Sequence, residues 1–139
     1  KTYPLIGFHP PQGKWDIKTL KMLSDHDFKY EIATYTSKNN GIPLEVLNTK
    51  SIIRFLTIGD DWLVYAKQMK EEDAFNHFKS LFNKCKTGHV TGIGFHPWIL
   101  FHNKIYFNAF KRFIKYLMEF EDVQIKTTAE YLEMIKKNA

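Results

Sequence analysis

The segment VTGIGFHP at residues 90–97 is an apolar run that ends in Gly94-Phe95-His96-Pro97, and the same tetrapeptide occurs at Gly7-Phe8-His9-Pro10. In each copy the apolar run predicts a strand, and the histidine lies where the strand becomes a loop. The proline removes a backbone donor and biases the residue before it toward extended geometry, which ends the strand. The repeat therefore predicts two strands that each deliver an imidazole to their carboxyl end.

A third apolar run carries carboxylates at the same point. The segment IIRFLTIG at residues 52–59 leads directly into Asp60, Asp61 and Trp62. If the three strands are parallel, their polar ends lie at one edge of the sheet, where α/β folds place their chemistry. We therefore expect His9, His96 and one or both aspartates to open onto one shared cleft.

The remaining periodicity predicts an α/β fold of parallel strands with outer helices. Strands are predicted at 3–8, 28–33, 52–58, 90–95 and 123–125, and helices at 17–25, 71–86, 106–119 and from 127 onward. Asp16 can cap the first helix, and Thr127 with Glu130 has the spacing of a capping box for the last. Five strands do not close a barrel, so the alternatives are a small open sheet and a piece of a (β/α) barrel.

Composition indicates one folded domain over residues 1–139. The chain is 44% hydrophobic and 16% aromatic, which excludes a disordered chain, and it has no apolar run of about 18 residues. Its single cysteine, Cys85, excludes an internal disulfide and is interpreted as a buried thiol on a helical stripe. The chain begins at Lys1, so we interpret it as a fragment or a processed product.

The net charge of +5 includes an acid-free stretch with seven basic residues between Asp73 and Glu119. We interpret this stretch as a solvated lysine-rich surface; the alternative is a basic rim for an anionic polymer or an envelope surface. No nucleic-acid-binding motif accompanies it, so we expect no nucleic-acid partner.

Several motifs in this order resemble the polysaccharide deacetylases of the NodB-homology type. His9-Pro10-Pro11-Gln12-Gly13 is similar to their Arg-x-Pro-x-Gly, residues 60–62 to their acidic-Trp motif, and residues 90–97 to their final strand ending in His-Pro. Residues 122–132 are similar to their closing strand and Thr-capped helix. The resemblance spans nearly the whole chain and implies a distorted (β/α) barrel of the glycoside hydrolase/deacetylase type.

The resemblance also implies metal-dependent removal of acetyl groups from a glycan. The family's divalent metal, zinc or similar, is held by one Asp and two His on early strands, with a second Asp as base. This sequence contains no Asp-Asp pair after an early strand and no His-x-x-x-His. It therefore resembles the C-terminal portion of the catalytic domain, without the N-terminal metal-binding portion and with no metal ligand of its own. Its expected partners are a glycan and either that missing portion or a symmetric partner, in the cell envelope or secreted rather than in the cytoplasm.

His96 is the residue best suited to act as the general acid. Hydrolysis of an amide or ester requires an acid for the leaving group, and imidazole titrates nearest to working pH. A carboxylate on the adjacent strand end would hold its tautomer and favour its protonated form, and either Asp60 or Asp61 can supply it. His9 departs from the family, which has Arg at this position to orient the base. An imidazole cannot replace a permanently charged guanidinium with its five N–H donors. His9 therefore marks a divergent or an inactive subgroup, or it is simply a rim residue.

The substrate groove is assigned to three residues beside these motifs. Trp62 and Trp98 can stack on the apolar faces of sugar rings; the alternative is that each packs a loop onto the barrel. Pro11 stands at the family's proline and is assigned to the groove by the resemblance.

Two other functions fit the same sequence. One is a non-catalytic glycan-binding or structural descendant of the fold, which the His9 departure favours. The other is an amidohydrolase-like relative that acts on a small cyclic amide.

Overall fold

A computed structural model describes residues 5–14, 16–34, 44–46, 52–84, 90 and 92–138. These residues form a five-stranded sheet, six α-helices and one short 3-10 turn. In chain order the elements are β1 (Gly7–Phe8), the 3-10 turn Pro11–Gly13, α1 (Ile17–Asp25), β2 (Tyr30–Thr34), β3 (Leu44–Val46), β4 (Ile53–Asp60), α2 (Trp62–Ala66), α3 (Glu71–Phe82), β5 (Gly92–Gly94), α4 (Pro97–His102), α5 (Lys104–Leu117) and α6 (Thr128–Asn138).

Strands β1, β2, β4 and β5 run parallel to one another in that spatial order. β4 is central: one of its edges pairs with β2, and the other pairs with the antiparallel β3 in its first half and with β5 in its second half. The parallel arrangement brings the carboxyl ends of four strands to one edge of the sheet. The predicted α/β class with parallel strands and outer helices is confirmed.

The helices cover both faces of the sheet. Leu20 and Leu23 of α1 cluster with Ile52, just before β4, whereas the Phe55 ring lies 5.7 Å from that of Tyr131 in α6. Because alternate residues of a strand face opposite sides, Ile52 and Phe55 face different layers. α1 and α6 therefore pack on opposite faces.

The larger core lies between α3 and α5. Phe78 and Phe113 are fully buried there, with ring centroids 5.7 Å apart, and Phe95 beyond β5 lies 5.2 Å from Phe78. Burial of such rings contributes roughly 1.5–3 kcal/mol each. Phe95 is the residue before His96, so this core anchors the segment that carries the histidine.

A buried ion pair links the two central strands. Glu31 and Arg54 are register partners on β2 and β4, and Arg54 Nε donates to Glu31 Oε2 at 3.1 Å. Both side chains are at most 1% exposed. Breaking such a pair by removing one partner typically costs about 3–5 kcal/mol, because a charge is left buried. The pair therefore joins β4 to β2 well before the strand end where the candidate site lies.

Both predicted helix caps are confirmed. Thr19 N donates to Asp16 Oδ1 at 2.7 Å, and α1 spans the predicted residues 17–25. Glu130 Oε2 accepts from Thr127 N at 2.7 Å, and Glu130 N donates back to Thr127 Oγ1 at 3.2 Å. These reciprocal bonds are the capping box that the spacing predicts.

The predicted strand at 123–125 is wrong. Val123 N donates to Phe120 O at 3.3 Å, a local turn bond, and Ile125 is 57% exposed. Three residues, of which two are apolar, are too few to form a strand without a sheet edge beside them. The sequence analysis also missed β3 and the short helices α2 and α4.

Two of the predictions concern residues that the structure does not describe. Cys85 and the first residues of the predicted strand 3–8 lie outside the described residues. Among the helices that are described, none is long and apolar enough to span a bilayer.

Candidate active site

The candidate site begins with an irregularity in the pairing of β4 with β5. Thr57 pairs with Gly92 and Asp60 with Gly94, so β4 has one residue more than β5 between these two points. Such a bulge bends the strand and redirects the side chains that follow, and bulges are common beside active sites. Asp61 N still donates to Gly94 O at 3.2 Å, which keeps the two strand ends together.

Asp61 holds His96 with both of its oxygens. Oδ2 accepts from the His96 backbone amide at 2.9 Å, and Oδ1 lies 2.6 Å from ring Nδ1. The Asp61 side chain is fully buried, whereas that of His96 is 42% exposed. An ionised carboxylate only accepts, so Nδ1 carries the proton in this arrangement and Nε2 is the ring nitrogen left to meet a ligand. The pair is thus a buried carboxylate that orients an accessible imidazole.

Asp60 has a different position from its neighbour. It is exposed, and its Oδ1 accepts from Trp62 N at 3.0 Å, a local bond at the start of α2. The sequence left open which aspartate pairs with His96, and the structure selects Asp61. Asp60 shapes the turn instead.

Trp62 and Trp98 lie beside this pair and contact each other. Together with Tyr65 and His102 they form what we call the aromatic cluster, in which Tyr65 is central: its ring centroid lies 5.7, 5.0 and 6.4 Å from those of Trp62, Trp98 and His102. The Trp98 ring is 6.0 Å from that of His96. Both tryptophans are about half exposed, at 52% and 49%. Each therefore packs on its neighbours and also presents ring surface to solvent beside the histidine.

His9 lies at the same edge of the sheet but not in the same group. It follows β1, which β2 and β4 separate from β5. Three interstrand spacings of about 4.8 Å put the two strand ends roughly 14 Å apart. His9 and the nearby Pro11 are both exposed. The structure brings Asp60, Asp61, His96, Trp62 and Trp98 together, whereas His9 and Pro11 follow β1, which β2 separates from β4.

The two glycines of the repeated tetrapeptide permit close approaches. A Cβ added to Gly7 would lie 1.9 Å from Cζ of Tyr30, and one added to Gly94 would lie 3.1 Å from Cβ of Asp60. Gly94 is therefore the residue against which the Asp60 turn packs.

The sequence analysis missed His77. Its Nε2 lies 3.2 Å from the backbone oxygen of Asp60, across 17 residues of sequence. His77 precedes Phe78 in α3, whose sequence has an ordinary amphipathic pattern, so no sequence signal indicates this contact. Tyr65 was missed in the same way, because α2 is too short to show a helical period.

The described residues contain no group of three or more His, Cys, Asp or Glu side chains arranged to hold a metal ion. Asp61 and His96 bond to each other, an arrangement suited to moving a proton.

No family model, curated protein or solved structure matches the chain.

Proposed function

We propose that this chain supplies the general-acid side and part of the substrate groove of a metal-dependent glycan deacetylase of the polysaccharide deacetylase type. The observation that carries the proposal is the Asp61–His96 pair at the ends of two adjacent parallel strands. The order of the motifs along the sequence is the reason for choosing this family. The same proposal makes the sheet part of a distorted (β/α) barrel.

The proton transfer assigned to His96 belongs to the second half of the reaction. After water has added to the acyl carbon, the bond from that carbon to the leaving nitrogen or oxygen breaks. The electron pair remains on the leaving atom, which takes the Nε2 proton of the His96 imidazolium; acetate and the free amine or hydroxyl result, and the ring is left neutral with its proton on Nδ1. Asp61 holds the ring through Nδ1 so that Nε2 faces outward.

The aromatic cluster supplies the sugar-binding surface in this proposal. Trp98 lies against His96 and is half exposed, so a ring stacked on it would place its acetyl-bearing atom near the imidazole. Aromatic contacts of this kind contribute roughly 0.5–1.5 kcal/mol beyond area burial.

A divalent metal, zinc or similar, is part of the proposal, but the described residues do not fit one. Under this proposal its ligands and the base lie outside the described residues, in the metal-binding portion that the resembled family has. The roles left to this chain are proton donation and sugar binding.

The deciding experiment measures acetate release from an N-acetylated oligosaccharide by the full-length protein with added divalent metal. We expect His96→Ala to lower kcat about 10²–10⁴-fold, the usual contribution of a general acid, with KM and bound metal nearly unchanged. His26→Ala is the matched control, since His26 is exposed at the C-terminal end of α1, just before the start of β2 and so at the opposite edge of the sheet from His96. Loss of bound metal in His96→Ala would make the histidine a ligand, and full turnover in His96→Ala would exclude it as the general acid; either result would overturn the assignment.

A non-catalytic glycan-binding protein is the second candidate. The observation that favours it is His9, which stands where the resembled family has Arg and follows β1, a strand whose end lies about 14 Å from that of β5 by strand count. Under this alternative the wild-type protein binds oligosaccharide without releasing acetate, and Trp98→Ala weakens binding while His96→Ala does not.

A further inference from the structure

The end of β4 is anchored at three points around the Asp61 carboxylate. Asp61 N bonds to Gly94 O on β5, Asp60 Oδ1 accepts from Trp62 N at the start of α2, and the Asp60 carbonyl lies 3.2 Å from His77 Nε2 on α3. The first two anchors come from the chain immediately around the site. The third comes from α3, which also packs in the core with α5.

The contact between His77 Nε2 and the Asp60 carbonyl shows which of the two atoms carries the proton. A backbone carbonyl only accepts, so His77 Nε2 must be the donor. Thr57 is the last residue of β4 with a described partner on β2, and Asp60 lies three residues past it. Among the described residues, His77 is the group that reaches this carbonyl.

The Asp60 carbonyl is also part of the peptide unit that continues into Asp61 N. That unit is rigid and planar, so a donor on its oxygen and an acceptor on its nitrogen hold its plane from opposite sides. The orientation of the plane fixes the N–Cα bond of Asp61 and, together with φ, the direction of its Cα–Cβ bond, and hence where the carboxylate meets His96. We propose that His77 is a positioning residue for the Asp61–His96 pair, which it orients through the Asp60 carbonyl.

The expected size of the effect follows from the exposure of the contact. His77 is partly exposed, and water can replace its donor. One such hydrogen bond changes an equilibrium by about 2–10-fold. His77→Phe should therefore perturb the pair without abolishing the fold.

The test uses full-length protein labelled with ¹⁵N at histidine. In the wild type we expect the neutral His96 ring to show the signals of the tautomer protonated at Nδ1; in His77→Phe we expect the signals of the neutral ring to move toward an averaged mixture of tautomers. If the proposed deacetylase activity is present, kcat should fall about 2–10-fold with KM unchanged. His77→Gln places an amide donor near the position of Nε2 and should restore both the signals and kcat.

Ser80→Ala is the control, since Ser80 Oγ donates to His77 O within α3 and has no described contact with β4. Unchanged His96 signals in His77→Phe would overturn the proposal. So would a loss in His77→Phe that His77→Gln fails to restore, or one that Ser80→Ala reproduces. The ring signals do not depend on turnover, so a wild-type protein without deacetylase activity would refute the proposed function and still leave this inference tested.

Discussion

Asp61 bonds His96 twice, through the backbone amide at 2.9 Å and through ring Nδ1 at 2.6 Å. The two bonds fix different properties of the histidine. The amide bond fixes where the residue lies after β5, and the ring bond fixes how the imidazole is turned. A carboxylate with no exposed surface therefore positions and orients an imidazole that solvent can reach.

The two adjacent aspartates should respond differently to the same substitution. Asp61→Asn keeps the size of the side chain but replaces one acceptor by an NH₂ donor, which cannot accept from Nδ1–H and His96 N together. We expect a marked loss of kcat, smaller than that of His96→Ala. Asp60→Asn retains the oxygen that accepts from Trp62 N and should keep near-wild-type kcat. Measuring acetate release checks both variants. Equal losses of kcat in Asp61→Asn and Asp60→Asn would show that the bonds between Asp61 and His96 are not what the reaction needs.

Trp98 should contribute to substrate binding rather than to turnover. We expect Trp98→Ala to raise KM for an acetylated oligosaccharide up to about tenfold, since an aromatic contact contributes roughly 0.5–1.5 kcal/mol. Phe101→Ala is the control, because Phe101 lies on the same helix and is 75% exposed, and its ring stacks on Phe107 rather than beside His96. An equal rise in KM for both variants would indicate a non-specific apolar surface.

The two glycines of the repeated tetrapeptide should separate stability from activity. Gly7→Ala puts a methyl group within 1.9 Å of the Tyr30 ring and should lower the free energy of unfolding by about 1–3 kcal/mol, as overpacking does. In Gly94→Ala the added methyl group lies 3.1 Å from Cβ of Asp60. It should therefore shift the turn that carries Asp61 and lower kcat, while the free energy of unfolding changes little. Denaturant unfolding and acetate release on both variants check this. Loss of kcat in Gly7→Ala while the protein is still folded would contradict it.

The helix caps should give stability that depends on pH. Hydrogen bonds from Thr19 N and Thr127 N lower the pKa of the Asp16 and Glu130 carboxyls below their ordinary values of 3.8 and 4.5. A pKa lowered on folding means that the stabilisation is complete above the ordinary value and is lost as the pH falls through the lowered one. Asp16→Ala and Glu130→Ala should therefore lower Tm by a few degrees at pH 7, and the difference from wild type should shrink toward about pH 3.

Lys21→Ala is the matched control for Asp16→Ala, because Lys21 is an exposed residue of the same helix with no part in its cap. A difference in Tm that stays constant from pH 7 to about pH 3 would show that the carboxylate charge does not contribute to the cap.

Local patterns determined much of this fold. The Asp16 cap and the spacing of Leu20 and Leu23 predicted α1, and the Thr127–Glu130 box predicted the start of α6, because capping and helical periodicity act within a few residues. The repeated Gly-Phe-His-Pro predicted where two strands end, since proline has no N–H for the ladder and favours the end of a strand within a sheet. The helices α2 and α4 were missed, because five or six residues do not show a period of 3.6.

The site needed contacts that no local pattern encodes. Asp60 ends β4 and Asp61 follows it, and only the bulge against β5 and the bond from Asp61 N to Gly94 O decide which carboxylate turns inward to His96. The two histidines of the repeat have the same local sequence, yet the strand order puts β2 and β4 between their strands. The sequence by itself determined that imidazoles and carboxylates come to the carboxyl ends of strands. The tertiary structure decided which of them meet, because pairing between strands depends on residues far apart in the chain.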